Sequence, residues 1–526
     1  MYRLGKIMNI TVIAMSLTLI VVLIFSFQGS LFGPKPGQQG DNTGMGMQNS
    51  VPTAVPEDLL PSHLAVGKAA PPAVFASSEG TYISLDALIQ SSENGVWFSF
   101  GSDHLESYRP SLAEAYNMML VIIGDVPVEG SAVMTVSDTE NACYELWGLQ
   151  TLPSDIVLNS EGLVLGYHAG TMNSGEAEGM LKRARDGRGA VGFDFIERTM
   201  SDGDGGFYTN TMVKGNSPSG QDVLSESQGL VLWYALEKDN RALFEKTWQF
   251  TKTNLLKKGL AAWYVSADGK AANVNALLDD LRIWYSLHLA GQKWDGAYSE
   301  DASAMLNSIR ELCLDKKGRL VDFTDLKEGT RADTISLQYL DLTVLKAMAA
   351  EDADFEAVYQ NAEKILLDGR ISDEFPLYYK SYNYTTRSYD TGNLNTAEVL
   401  YTLWNLSRAD LLQEDTLAWL RENVITGSLA VHYKTNGDIL LGSDYHSTAV
   451  YALAALVAHE TGDDELFEIA LRRMERKLIL DADDEFFGSY SQKGTVIYSF
   501  DQLIPLLVNT VVDEELKKDK SAYGKQ

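Results

Sequence analysis

At 526 residues, 45% of them hydrophobic, the chain is long enough for two or three domains with full cores. It carries 43 Lys and Arg against 72 Asp and Glu, a net charge of −29, which sets nucleic acid and other polyanions aside as partners for most of its surface. Two cysteines, Cys143 and Cys313, sit far apart, and the seven histidines show no HxxxH or HExxH spacing. A disulfide framework, a CxxC redox pair and a histidine metal site are therefore excluded, and no metal or other cofactor is expected.

Residues 1–28 open with Arg3 and Lys6, and residues 10–27 then run for 18 positions without a charge. That length can span a bilayer, and the basic tip should stay on the cytoplasmic side. No Ala-x-Ala site follows and no lipobox cysteine exists, which favours an uncleaved signal-anchor transmembrane helix over cleavage near Gly29 or Ser30. Either way the bulk of the chain is expected outside the cytoplasm, and with the anchor uncleaved it is held at the cell membrane in a single pass. Residues 29–62, rich in Gly, Pro, Gln and Asn, read as a flexible linker.

Residues 63–188 alternate strand and helix patterns. They run from a hairpin-like start through the apolar strand GVWFSF, a helix over ESYRPSLAEAY, the strand MMLVIIGDV, a strand pair over SDIVLNSEGLVLGYHAG, and a closing helix. This order predicts a small α/β layer domain. The opening VGKAAP, the turn NSEG and the run Thr151-Leu152-Pro153-Ser154 resemble membrane-tethered thioredoxin-like proteins. The resemblance implies a cis proline at Pro153. It also places the family's two redox cysteines at Ser102 and Leu105, so thiol–disulfide exchange is not expected. The module reads as a redox-dead fold kept for spacing, for stability or for docking a protein partner.

Residues 190–515 carry an internal repeat. An acidic or polar residue precedes an apolar helical run at Glu226, Asp280, Asp333, Asp390, Asp444 and Asp501, with a second helical pattern between successive runs. A period of about 55 residues holding two helices predicts helical hairpins, and six of them fit an all-α (α/α)6 toroid. Its six inner helices would start at one end and gather Glu226, Asp280, Asp390 and Asp444 on one face. Ser225 followed by Gln228 reads as a capping box at the start of the first inner helix. Residues 516–526 form a charged tail.

Three stretches of this region resemble glycoside hydrolase family 8, the inverting endoglycanases. They are Ser225-Glu226-Ser227-Gln228-Gly229, the run ALFEKTWQFTKTNLL leading to Trp263, and the helix from Asp280 to Ala290. The resemblance implies a polysaccharide substrate of β-linked type, with Glu226 as general acid. It implies Asp390, in Ser388-Tyr389-Asp390, as general base, although Asn393 stands where the family keeps an arginine. Substrate-binding roles are expected for Asp280, Asp279, Trp263, Gln228, Tyr389 and Asp444, and Asp444, before the helix that follows Tyr445-His446-Ser447, is also the second candidate for the base. Leu278 occupies the position of a third family carboxylate. That departure keeps open a second reading, in which the toroid grips glycan during polysaccharide assembly or export without hydrolysing it.

Overall fold

The computed structural model describes residues 64–523 except 78–79, 102–105, 125–131, 139–141, 150, 213–217, 219 and 492–494. The expected anchor at 10–27, the linker at 29–62 and the positions Ser102 and Leu105 lie outside the described residues. Among those described, no helix is long and apolar enough to cross a membrane.

The N-terminal domain is a seven-stranded mixed sheet. Its elements run β1 (Val74–Ser77), β2 (Tyr82–Ser84), α1 (Leu85–Gln90), β3 (Val96–Phe100), α2 (Tyr108–Ala115), β4 (Met119–Ile123) and β5 (Val133–Ser137). They continue with α3 (Ala142–Leu146), β6 (Ser154–Leu158), β7 (Val164–Ala169) and α4 (Ser174–Asp186). The strand order is β2-β1-β5-β4-β3-β6-β7, with β3, β4 and β5 parallel and the other pairs antiparallel. Every residue of β3 is buried, because apolar layers cover both sheet faces: Phe75, Phe98 and Trp147 on one side, Trp97, Leu120 and Leu181 on the other. The Leu152-Pro153 peptide is cis. Asp155, fully buried, accepts from Trp97 Nε1 at 2.8 Å and pairs with Arg109, so its charge does not stand alone in the core.

The rest of the chain is mainly helical, with short two- and three-stranded sheets between the helices. It contains α5 (Arg188–Thr199), α6 (Ser225–Glu237), α7 (Arg241–Asn254), α8 (Leu277–Lys293), α9 (Ser299–Leu312) and α10 (Leu342–Glu351). These are followed by α11 (Phe355–Asp368), α12 (Thr396–Arg408), α13 (Glu414–Thr426), α14 (Thr448–Thr461), α15 (Asp464–Met474) and α16 (Phe500–Tyr523). Helices α6, α8, α10, α12, α14 and α16 touch one another in that order, and α16 closes back onto α6. The remaining six lie outside them, with α7 against α6, α15 against α14 and α5 against α16. Burial follows from position. Every residue from Thr448 to Ala458 of inner α14 is buried, whereas outer α7 buries one face, Leu243, Phe244, Thr247, Trp248 and Thr251. In this ring α12 stands three places from α6 in either direction, so the two helices face each other across it.

The two domains are pinned together along α4 and α5. Glu475 accepts from Arg183 Nη2 at 2.5 Å and Arg188 Nη1 at 2.7 Å. Asp513 of α16 receives the backbone N–H groups of Arg188 and Gly189 at 3.0 and 3.1 Å, satisfying the open start of α5. Helix α4 runs so close to Leu480 that a Cβ on Gly179 would fall 1.8 Å from the Leu480 carbonyl oxygen. Only glycine fits there.

Candidate active site

The inner helices begin at one end of the ring, and their first turns line a groove there. Its central pocket, about 70 Å³, is bounded by Glu226 of α6, Leu278 and Asp279 of α8, Tyr339 just before α10, Glu398 of α12 and Phe500 of α16, with the Trp263 ring on one wall. A second pocket of about 70 Å³ continues past Trp263, Tyr339 and Glu398 to Asp322 and Lys380. On the other side a recess of about 20 Å³ reaches Tyr445, Val450 and Asp501.

The start of α6 differs from a capping box. Leu224 is the N-cap and makes no side-chain cap, while Ser225 is already helical. The Ser225 hydroxyl donates to Asp279 Oδ2 at 2.5 Å, and its N–H donates to the Trp263 carbonyl at 3.1 Å. One residue thus fixes both the neighbouring carboxylate and the backbone of the aromatic wall. Gln228 points away from the groove. Fully buried, its Nε2 donates to Gly205 O at 2.9 Å and Thr251 Oγ1 at 3.2 Å, and its Oε1 accepts from Phe207 N. Its amide is spent holding the 205–207 loop, and it lines none of the three pockets.

Glu226 faces the pocket, partly exposed, with no hydrogen-bond donor in reach among the described residues. Burial pushes its carboxyl up to about 8, the charge of Asp279 adds to the rise, and Arg282 opposes it. Inner-helix starts present positive dipole ends, which also favour the anion, yet desolvation wins. Arg282 is buried, with Nη1 3.2 Å from Asp279 Oδ1 and Nη2 donating to the Tyr401 hydroxyl at 2.9 Å. It passes over Gly229, where a Cβ would lie 3.1 Å from its Cδ, so the glycine makes room for the guanidinium. At neutral pH Glu226 holds a proton it can donate, beside an Asp279 whose own carboxyl burial pushes up while Arg282 and Ser225 oppose the rise.

The two adjacent aspartates of α8 separate. Asp279 lines the pocket. Asp280 is fully buried behind it, accepting from Ala261 N at 2.8 Å and Asn275 Nδ2 at 2.6 Å, which makes it a structural tie. Consecutive helical residues diverge by about 100°, so one of the pair alone can face the axis. Asp390 sits in an exposed turn where its Oδ1 accepts from Gly392 N, and it lines none of these pockets. Asp444 is likewise exposed and outside them. Tyr389 stacks on Tyr379 at 5.3 Å and spends its hydroxyl on the Ile365 carbonyl, 2.7 Å away, which removes it from the groove.

Glu398, Tyr339, Asp322 and Lys380 line the groove without having been singled out in the sequence. Glu398 had a signal: it stands in the first turn of an inner helix, the same station as Glu226, but inside the run TAEVLYTLW where it passes for a helix-start acid. Among the described residues no cluster of three or more His, Cys, Asp or Glu is arranged to hold a metal ion.

The sequence pattern described as glycosyl hydrolases family 8 matches residues 200–329, which contain Glu226, Trp263 and Asp279. The Bacillus subtilis (strain 168) protein YdaJ is 28% identical over 306 residues, covering 56% of this chain and 81% of YdaJ. A solved structure titled a novel alpha-amylase from Clostridium perfringens is 31% identical, with a TM-score of 0.58, over 61% of this chain and 97% of that one. Through its helical domain, the chain belongs with the family 8-like glycoside hydrolases.

Proposed function

We propose that the groove cleaves glycosidic bonds within a polysaccharide, with Glu226 protonating the leaving oxygen. One observation carries the reading: a half-buried carboxyl that stays protonated to about pH 8 opens into a groove walled by Trp263. Such an acid is what departure of a sugar alkoxide requires near neutral pH. Trp263 offers a flat apolar face for a pyranose ring, and Asp279 and Tyr339 offer partners for its hydroxyls.

The family 8 resemblance supports a β-linked glycan, such as an exopolysaccharide or an envelope glycan. A second reading, an α-linked glucan, is favoured by the 31% identity to the Clostridium perfringens protein titled an alpha-amylase. The uncharged run at 10–27 supports tethering at the outer face of the cell membrane, where an exported glycan passes. The mixed sheet supports a thioredoxin-like N-terminal module, docked through Glu475 as a fixed support for the ring.

The test measures new reducing ends from β-glucans, xylan, chitosan, starch and glycogen with the full-length protein and Glu226→Gln. Release by the wild type and its loss in the variant support the reading. Glycan binding without release by either protein replaces it with a binding role.

A further inference from the structure

An acid that protonates the leaving oxygen needs a partner to take a proton from the attacking water, and Asp390 is exposed and lines none of the three pockets of the groove. Resting on the hydrolase reading above, we infer that Glu398 is the general base, acting on a water held between it and the sugar across the ring from Glu226.

Position supports this first. Glu226 opens α6 and Glu398 opens α12, which stand opposite each other in the ring, and both side chains bound the same central pocket. Acid and base in an inverting hydrolysis approach the anomeric carbon from opposite faces of the sugar with room for a water between them.

Availability supports it second. Besides the acid Glu226, the other carboxylates of the central and Asp322 pockets already hold partners. Asp279 accepts from Ser225 and Arg282, and Asp322 accepts from Thr334 Oγ1 and Ser336 N, both at 2.6 Å. Glu398 is 6% exposed, and neither of its oxygens has a hydrogen-bond partner. A buried carboxylate left bare costs free energy unless something comes to meet it, and a water in the groove would do so. Burial raises the Glu398 carboxyl above the ordinary glutamate value, the charges of Asp322 and Asp390 add to the rise, and Lys380 Nζ, 3.7 Å from Oε2, opposes it with a counter-charge that favours the ionised form. Tyr339, which feels the charges of Glu226, Asp279, Asp322 and Glu398 together, stands between the two sides.

The step balances. The water oxygen bonds to the anomeric carbon as its proton passes to Glu398, and the bond to the leaving oxygen breaks as that oxygen takes the proton of Glu226. One water is consumed, and exchange with solvent returns both carboxyls to their starting states.

The test compares wild type, Glu398→Gln, Glu398→Ala and Asp390→Asn on whichever glycan the wild type cleaves, with circular dichroism to verify folding. The expected result is a loss of about 10³-fold in kcat for Glu398→Gln with KM changed less than about threefold, and an unaffected Asp390→Asn. Sodium azide should restore turnover to Glu398→Ala by attacking the anomeric carbon itself, leaving a glycosyl azide of inverted configuration. A folded Glu398→Gln that keeps wild-type kcat, or a folded Glu398→Ala that azide does not rescue, overturns the assignment and leaves the hydrolase reading standing. A wild type silent on every glycan removes the reading and the assignment together.

Discussion

The Ser225 hydroxyl and Asp279 Oδ2 meet at 2.5 Å between two neighbouring inner helices, α6 and α8. That bond joins the first turn carrying Glu226 to the first turn carrying Asp279. Asp279 also leans on Arg282, so the three residues set the field in which Glu226 titrates. Replacing Ser225 by Ala removes a hydrogen bond to a buried charged group. We expect a loss of about 1.5–3 kcal/mol, read as a lower denaturation midpoint with an unchanged slope.

Glu226 should make the protein less stable in alkali. Its carboxyl titrates near 8 in the fold against 4.5 for an ordinary glutamate. A raised folded value means that stability is fully present below the unfolded value and is lost as pH rises through the folded one. Between about pH 4.5 and 8 the folded state resists an ionisation the unfolded chain accepts. Glu226→Gln removes that penalty, so its melting temperature should match wild type near pH 5 and exceed it by a few degrees at pH 9, although it is inactive at both. Equal melting curves at pH 9 would mean the carboxyl is not held in its protonated form.

Arg282 is the buried cation that keeps this cluster from being wholly acidic. Arg282→Met retains the bulk that passes over Gly229 but strands Asp279 and leaves the Tyr401 hydroxyl without its donor. Breaking one side of a buried pair costs about 3–5 kcal/mol, so the variant should unfold at clearly lower denaturant. Activity should fall too, since Asp279 would then compete with Glu226 for the proton.

Glu475 makes the clearest link between the domains. Arg183 and Arg188 hold its carboxyl below the usual glutamate range despite its burial. A depressed value means stability that is present above the unfolded value and disappears as pH falls through the folded one. Glu475→Ala leaves two arginines without their carboxylate and should split one calorimetric transition into two, as should acid well below pH 4.5, the ordinary glutamate value, with the wild type. A single unchanged transition would show that the apolar contacts of α4 and α5 suffice.

The architecture was legible because it repeats. Six acidic stations spaced by about one hairpin announced the toroid, and the apolar inner helices announced which halves face inward. The individual carboxylates were harder to read. Asp279 and Asp280 are one residue apart, and the helix phase that sends the first to the groove and the second to Asn275 is set by packing against Ala261, many residues away. Asp390 matched a motif by its Tyr-Asp pair, yet it stands in a turn before the helix, whereas Glu398, eight positions on, enters the ring. Ser225 and Gln228 have capping-box spacing, but both side chains have stronger partners, Asp279 and the 205–207 loop, that lie outside any local window.

The central claim is that Glu226 protonates a leaving sugar while a water attacks from the opposite side of the ring. Proton NMR of the first product anomer, followed within seconds to minutes of mixing with the cleaved glycan, tests it most directly. The account predicts inversion, an α-anomer from a β-linked chain or a β-anomer from an α-linked one, and no product with Glu226→Gln. A retained anomer, or undiminished cleavage by that variant, would contradict it.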